Sequence, residues 1–310
     1  MQVIGHQKEK ELLSKYLNKN QSSYSFLFEG KEGIGKKLLA LYTARGFLCE
    51  KERNFGCGEC ENCRLTDDLI SNIYEGTNLS PNPNIKLITS ENGRDIKISQ
   101  IRDAIDFLKL KSKEGKVIII ENAEKMNTEA SNALLKTLEE PPENSMIILT
   151  TTNQNKLLPT IISRCYKIRF NPLPKEEIYQ FLLHKDFSES DAKTFSVLSD
   201  GSLSLYSAVK ENPKIYQFAK DLALLFLDKN LRIEGIINLA DILDKLDNKD
   251  LSIVLQIVQT ILHKKMLKGE FDIDLYDRLL KEYQEFEKAI KAGVKKKLAV
   301  EGMYFNVKGG

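Results

Sequence analysis

Phe28-Glu29-Gly30-Lys31-Glu32-Gly33-Ile34-Gly35-Lys36-Lys37 has the spacing of a nucleotide phosphate loop but ends in a residue such a loop does not use. Glycines at 30, 33 and 35 let backbone N–H groups curl around phosphate oxygens, and Lys36 is placed to reach the β and γ phosphates. A magnesium site then requires a hydroxyl where Lys37 stands, and Leu38, Leu39, Ala40 and Leu41 offer no substitute. The spacing therefore predicts the frame of an ATPase with its Mg2+ site lost, and it leaves ATP occupancy of the loop open. A turn of this composition also occurs as an ordinary loop, so the flanking sequence has to decide.

The flanks are those of a strand, a glycine turn and a helix. Tyr24-Ser25-Phe26-Leu27-Phe28 reads as a short apolar strand. From Lys36 to about Leu48, apolar residues recur at helical spacing through Leu38, Leu39, Leu41, Tyr42, Ala44 and Leu48. A further apolar strand, Lys116 to Ile120, runs into Glu121-Asn122-Ala123-Glu124. Active phosphate-loop ATPases place an acidic pair at this junction to hold magnesium and orient the attacking water. Glu121 keeps a carboxylate and Asn122 cannot take a proton, although a plain strand-to-helix turn reads the same way. Losses at 37 and 122 strike the metal and the base separately, which points to a retired site.

Alternation continues along the middle of the chain. Asn84 to Ile88 reads as a strand and Ser99 to Leu110 as a helix with Ile101, Ile105 and Leu108 inward. Thr128 to Glu140 reads as another helix, burying Ala130, Ala133, Leu134, Leu135 and Leu138 and stopped by Pro141-Pro142. Met146 to Leu149 and Tyr166 to Phe170 complete five apolar strands, hence an α/β domain with a parallel sheet covered by helices on both faces.

The 310 residues, 42% apolar and 29% charged, suffice for two or three domains. No apolar run reaches membrane-spanning length, and Met1 to Lys10 is too polar for a signal peptide, so a cytoplasmic protein without membrane contact is expected. A net charge of +2 does not by itself imply nucleic acid. Lys109, Lys111, Lys113 and Lys116, and Lys291, Lys295, Lys296 and Lys297, form basic clusters; such runs are usually solvated faces, with phosphate contact as the alternative. His6, His184 and His263 show no ligand spacing.

Cysteine usage is uneven. Cys49, Cys57, Cys60 and Cys63 fall within fifteen residues, with only Cys165 elsewhere. Cys57-x-x-Cys60-x-x-Cys63 sets three thiolates within reach of one tetrahedral ion, and Cys49 supplies a fourth. Disulfides are the competing reading, disfavoured in a reducing compartment. Four protein ligands leave no open position, so the expected zinc is structural and staples an insertion too small for its own core.

Ser163-Arg164-Cys165 lies between the last two strands, where an arginine can simply cap a helix end. Taken with Leu134-Leu135-Lys136-Thr137-Leu138-Glu139-Glu140-Pro141-Pro142, the run Leu158 to Cys165 and the cysteines after the first loop helix, it resembles the clamp-loader branch of the AAA+ ATPases. The likeness runs from Val3-Ile4-Gly5-His6-Gln7 to Leu298-Ala299-Val300-Glu301-Gly302. It implies that Gly30, Gly33, Gly35 and Lys36 match the phosphate loop, Glu121 and Asn122 the acidic pair, Thr151-Thr152-Asn153 the polar sensor, and Val3 to Gln7 the adenine-side segment. Ser163 and Arg164 match the motif whose arginine enters a neighbouring subunit's ATP site. The chain departs from active members at Lys37, at Asn122 and at Gly201-Ser202-Leu203-Ser204, where Ser204 replaces a second sensor arginine.

The resemblance thus implies a non-hydrolysing stator subunit that lends Arg164 in trans to γ/τ motor subunits, beside a δ subunit, so that the complex loads a sliding clamp on primed DNA. It also implies an AAA+ domain over 1–171 with a zinc module at 49–63, a three-helix lid over 172–210 and a helical collar over 211–310. Lys175 to Leu183, Ser188 to Leu198 and Ser202 to Lys210 fit the lid. Ile215 to Leu227, Ile236 to Leu246, Leu251 to Leu267, Asp272 to Ala292 and Lys295 to Tyr304 read as collar helices. An active motor subunit that tolerates Lys37, or a zinc-bearing AAA+ DNA-binding protein outside replication, remains as an alternative.

Overall fold

The computed structural model describes residues 3–19, 21–77, 79, 82–90, 95–227, 241, 244–246, 248–270 and 273–309. The chain divides into two compact units, Met1–Ala192 with Asp200–Leu203, and Lys193–Ser199 with Ser204–Gly310.

The first unit is built on five parallel strands: β1 (Ser23–Glu29), β2 (Ile85–Ile88), β3 (Lys116–Ile120), β4 (Ser145–Thr151) and β5 (Tyr166–Arg169). They lie in the order β2-β3-β4-β1-β5. Side chains alternate across the pleat, so β1 sends Tyr24, Phe26 and Phe28 to one face and Leu27 to the other. The aromatic face is covered by α1 (Gln7–Leu17) and α2 (Lys36–Leu48), whose Leu13, Leu17, Leu39 and Leu41 are buried there. The opposite face packs Ile118, Ile120, Ile147 and Leu149 against α4 (Ile98–Lys109), α5 (Thr128–Glu139) and the short α6 (Pro159–Ile162). Burial on both sides explains why these strands read as continuous apolar runs.

Local chemistry sets the element ends. Asn127 caps α5 by accepting from the Ala130 amide at 2.8 Å, and Pro141-Pro142 follow its last turn. Ala133 and Leu135, expected inside, are only half-buried, and Ser131 and Thr137 are buried instead. The sequence reading has no counterpart for α3 (Glu61–Glu75), which has Cys60 as its N-cap and runs on from the cysteine cluster.

α7 (Lys175–Leu183) also belongs to the first unit. The second is helical: most of α8 (Glu189–Leu198), then α9 (Ser204–Glu211), α10 (Lys214–Leu227), α11 (Asn248–Leu267), α12 (Ile273–Lys291) and α13 (Lys296–Gly309). The run Ile236 to Leu246 falls mostly outside the described residues. No described helix is long and apolar enough to cross a membrane.

Candidate functional site

Parallel strands bring their carboxyl ends to one edge. Glu29 of β1 lies level with Thr151 of β4, and Ile120 of β3 with Leu149, so the loop after β1, the Glu121 turn and the Thr151–Asn153 segment converge. Gly35 takes φ 98° at the start of α2, a conformation closed to most side chains, and so turns the chain from loop into helix.

Lys36 and Lys37 are both engaged within the protein. Lys36 is 7% exposed, and its Nζ donates to the Gly30 and Lys31 carbonyls, each at 2.5 Å. Burial pushes its pKa down to about 8, against the pull of the Glu124, Glu32 and Glu121 carboxylates. Lys37 Nζ donates to Glu121 Oε2 at 2.9 Å, with the two side chains 22% and 27% exposed. The residue standing in the place of the magnesium-binding hydroxyl thus neutralises the one carboxylate left of the acidic pair. Asn122 sits at φ 53°, a left-handed conformation that asparagine tolerates, and its amide donates to Thr150 Oγ1 at 3.1 Å.

Glu124, to which the sequence assigns no role, sits in the turn after β3. Its Oε1 accepts from the Thr152 amide at 3.0 Å and the Thr152 hydroxyl at 2.6 Å. Burial acts to raise its pKa, but these bonds win and hold it below the usual carboxylate range. Glu124 therefore joins the β3 turn to the polar segment after β4; its position four residues past the strand gave no signal of that contact. Asn153 turns inward to its own chain, its Oδ1 accepting from the Asn155 amide at 2.9 Å.

Two further segments close on the loop. His6 Nε2 lies 2.6 Å from the Ile34 carbonyl and its ring packs against Phe170. Leu203 N donates to Gly33 O at 2.8 Å, Ser202 Oγ to Glu32 O at 2.8 Å, and Lys31 pairs with Asp200 at 2.5 Å. The segment expected to carry a second sensor thus contacts the loop backbone directly.

Arg164 follows α6. Its Nη1 donates to the Thr160 carbonyl at 2.9 Å and lies 3.4 Å from Ser163 Oγ, while Nη2 is paired with Glu139 at the end of α5. The side chain is 31% exposed and that of Glu139 48%. The adjoining Cys165 thiol is pushed up to about 12 by burial.

Cys49, Cys57, Cys60 and Cys63 bring their sulfurs within 4.8 Å of one another. Cys57 and Cys63 are 4.0 Å apart and Cys49 and Cys60 3.9 Å, close to the roughly 3.8 Å that a tetrahedron with metal–sulfur bonds near 2.3 Å requires. Amides of Glu52 and Cys57 point at Cys49 Sγ, and those of Glu59 and Cys60 at Cys57 Sγ. The latter bonds bring Cys57 down to about 6, and burial pushes Cys63 up. The donor set fits a closed metal site with no catalytic position. Behind it, Asn62 Oδ1 accepts from Asn84 Nδ2 at 3.1 Å, and Asn82 Nδ2 bonds both the Asn62 carbonyl and Thr66 Oγ1, tying α3 to the sheet.

Away from these groups, Lys109, Lys111, Lys113 and Lys116 line one hollow of about 520 Å3 at the opposite end of the strands. Lys109 pairs with Asp106, and Lys116 bonds Asn84 Oδ1. In the tail, Lys297 pairs with Asp241 and Lys296 bonds the Leu246 carbonyl. His184 bonds its own helix, and His263 packs on Tyr276.

Residues 5–174 match the family model for DNA polymerase III, delta subunit. The chain is 33% identical over 192 residues to DNA polymerase III subunit delta′ of Bacillus subtilis, covering 61% of this chain and 55% of that protein. To the delta′ subunit of Pseudomonas aeruginosa it is 35% identical over 170 residues, 54% of this chain and 48% of that one. The tau/gamma subunit of Haemophilus influenzae is 34% identical over 185 residues, 59% of this chain and 25% of that protein. The match thus spans about half the length of the delta′ relatives. A gamma subunit-related protein of Thermotoga maritima superposes with a TM-score of 0.53 at 18% identity, covering 97% of this chain and 99% of that one, a likeness of fold alone.

Proposed function

The chain belongs to the DNA polymerase III delta-subunit family, among the delta′ clamp-loader subunits, and from that premise we propose that it is the non-hydrolysing stator of its loader. The observation that carries this reading is the Lys37–Glu121 pair, which puts an ammonium where a magnesium ligand is needed and occupies the remaining carboxylate. Asn122 removes the group that would orient water, and Ser204 replaces the second sensor.

Arg164 is the contribution to catalysis. Negative charge gathers on the γ-phosphate oxygens during phosphoryl transfer, and a guanidinium supplied by a neighbour stabilises it, about a thousand-fold or more in rate. Ser163 precedes it on the same turn and bonds the Thr160 carbonyl, fixing the end of α6. The partners are the γ/τ motor subunits whose ATP site Arg164 completes and the δ subunit, with the sliding clamp and primed DNA reached through the complex. The four cysteines hold zinc, which stiffens the insertion before α3 and performs no step. Residues 172–210 serve as the lid and 211–310 as the collar that joins subunits.

The test is ATP turnover by the complex reconstituted with γ/τ and δ from the same source. Arg164→Ala is expected to cost about a thousand-fold at the site it completes, and Lys36→Ala to change turnover little. An active motor subunit gives the reverse pattern, and a DNA-binding protein outside replication gives no change with either.

A further inference from the structure

Arg164 has five N–H donors, and the structure accounts for most of them. Both Nη1 hydrogens face the Thr160 carbonyl and Ser163 Oγ. Nη2 is held by Glu139, and Nε is buried without a hydrogen-bond partner among the described residues. Recognition of a phosphate by the planar fork takes two parallel N–H groups on one edge. In this pose one Nη2 hydrogen remains for an incoming anion. Glu139 also places a carboxylate against the guanidinium that a phosphate would have to approach, and like charges at contact distance repel.

We infer that Glu139 is a latch on Arg164, holding the guanidinium against its own chain until a neighbour's nucleotide phosphate displaces the carboxylate. This rests on the arginine-finger reading given above. Glu139 and Arg164 come from α5 and from the end of α6, which pack on the same face of the sheet. A competing anion therefore has only a half-exposed side-chain pair to break. Such pairs are weak enough to be exchanged, and their strength falls with salt.

Two measurements separate the latch from a structural pair. In the isolated protein, the rate at which phenylglyoxal modifies Arg164, read by mass spectrometry of its peptide, is expected to rise about two- to five-fold in Glu139→Ala. Added salt should raise the wild-type rate toward that of the variant and leave the variant unchanged. In the reconstituted complex, Glu139→Ala and Glu139→Gln should keep or modestly raise ATP turnover, while Arg164→Ala costs the turnover of the site it completes. An unchanged modification rate, or turnover in Glu139→Ala falling as far as in Arg164→Ala, overturns the latch while leaving the finger in place. Unaltered turnover in Arg164→Ala overturns the finger itself, and the latch with it.

Discussion

Breaking the Lys37–Glu121 pair tests the retired-site reading most directly. At 2.9 Å, with an effective dielectric near 20, the attraction is about 5 to 6 kcal/mol before desolvation is counted. Both side chains are mostly covered, so desolvation offsets the larger part, leaving about 1 to 2 kcal/mol as the net of a charge-assisted hydrogen bond. Lys37→Met should destabilise the first unit by about 1 to 3 kcal/mol, because Glu121 is left beside Tyr74, whose phenol burial and Glu121 already push upward. Glu121→Gln should be milder, and the double variant should recover the coupling of about 1 to 2 kcal/mol. Native-state hydrogen exchange at the amides of β1 and β3 reads these differences where the pair sits. Lys37→Thr adds a second readout: restoring the hydroxyl should let ATP stabilise the protein by about 2.7 kcal/mol at a hundred-fold excess over its Kd, and only with magnesium present. Coupling below about 0.3 kcal/mol, or magnesium-dependent stabilisation by ATP in the unaltered protein, refutes the reasoning.

The metal cluster, one close glycine contact and one buried thiol give three further expectations. Metal analysis should find about one ion per chain, and Cys57→Ser or exhaustive chelation should release it and lower the melting temperature while leaving the second unit's helices intact by circular dichroism. Gly46→Ala should destabilise by about 1 to 3 kcal/mol in thermal melts, because its methyl would fall 2.6 Å from the Arg53 carbonyl and 2.7 Å from the Phe55 amide, backbone that cannot yield without shifting the cysteine loop. Burial raises the Cys165 thiol from 9.0 to about 12, so its contribution is intact below pH 9 and is lost as pH rises toward 12. Relative to Cys165→Ala, the protein should lose stability over that range at up to about 1.4 kcal/mol per pH unit, and a pH-independent difference between the two denaturation series would exclude the buried-thiol account.

The parallel strands were legible because each is buried on both faces and so reads as an unbroken apolar run. The helix after the phosphate loop is buried on nearly every side, so it was legible from the glycine turn before it more than from a one-sided helical period. α3 was missed although Leu65, Leu69, Ile70 and Ile73 keep that period, because the cysteines just before them fix attention on the metal and imply a short irregular insertion. The gathering of the four cysteines was readable since their spacing is local. What sequence does not carry is pairing at a distance. Lys37 and Glu121 are 84 residues apart, Arg164 and Glu139 25, and Lys31 and Asp200 169. Period and composition place each at an element's end, but only strand order and register decide which ends meet.

Those pairings give the loop's glycines a role even with Lys37 in the place of a metal-binding hydroxyl. Every carbonyl from Gly30 to Ile34 accepts an internal bond: Gly30 and Lys31 from Lys36, Glu32 from Ser202, Gly33 from the Leu203 amide, and Ile34 from His6. At about 1 kcal/mol net for each, the set is comparable to a large share of a domain's whole stability margin. Three of these bonds run to His6, before α1, and to Ser202 and Leu203, so the loop's curl is the surface on which two distant stretches of chain are fastened. Gly35, at a positive φ, allows that curl whether or not a phosphate lies in it. A loop shaped by nucleotide chemistry can therefore be retained for its carbonyls after its ammoniums have been turned inward. Fastening of this kind is what the proposed stator role requires of the loop: a curl fixed by bonds within the chain and not by a bound phosphate.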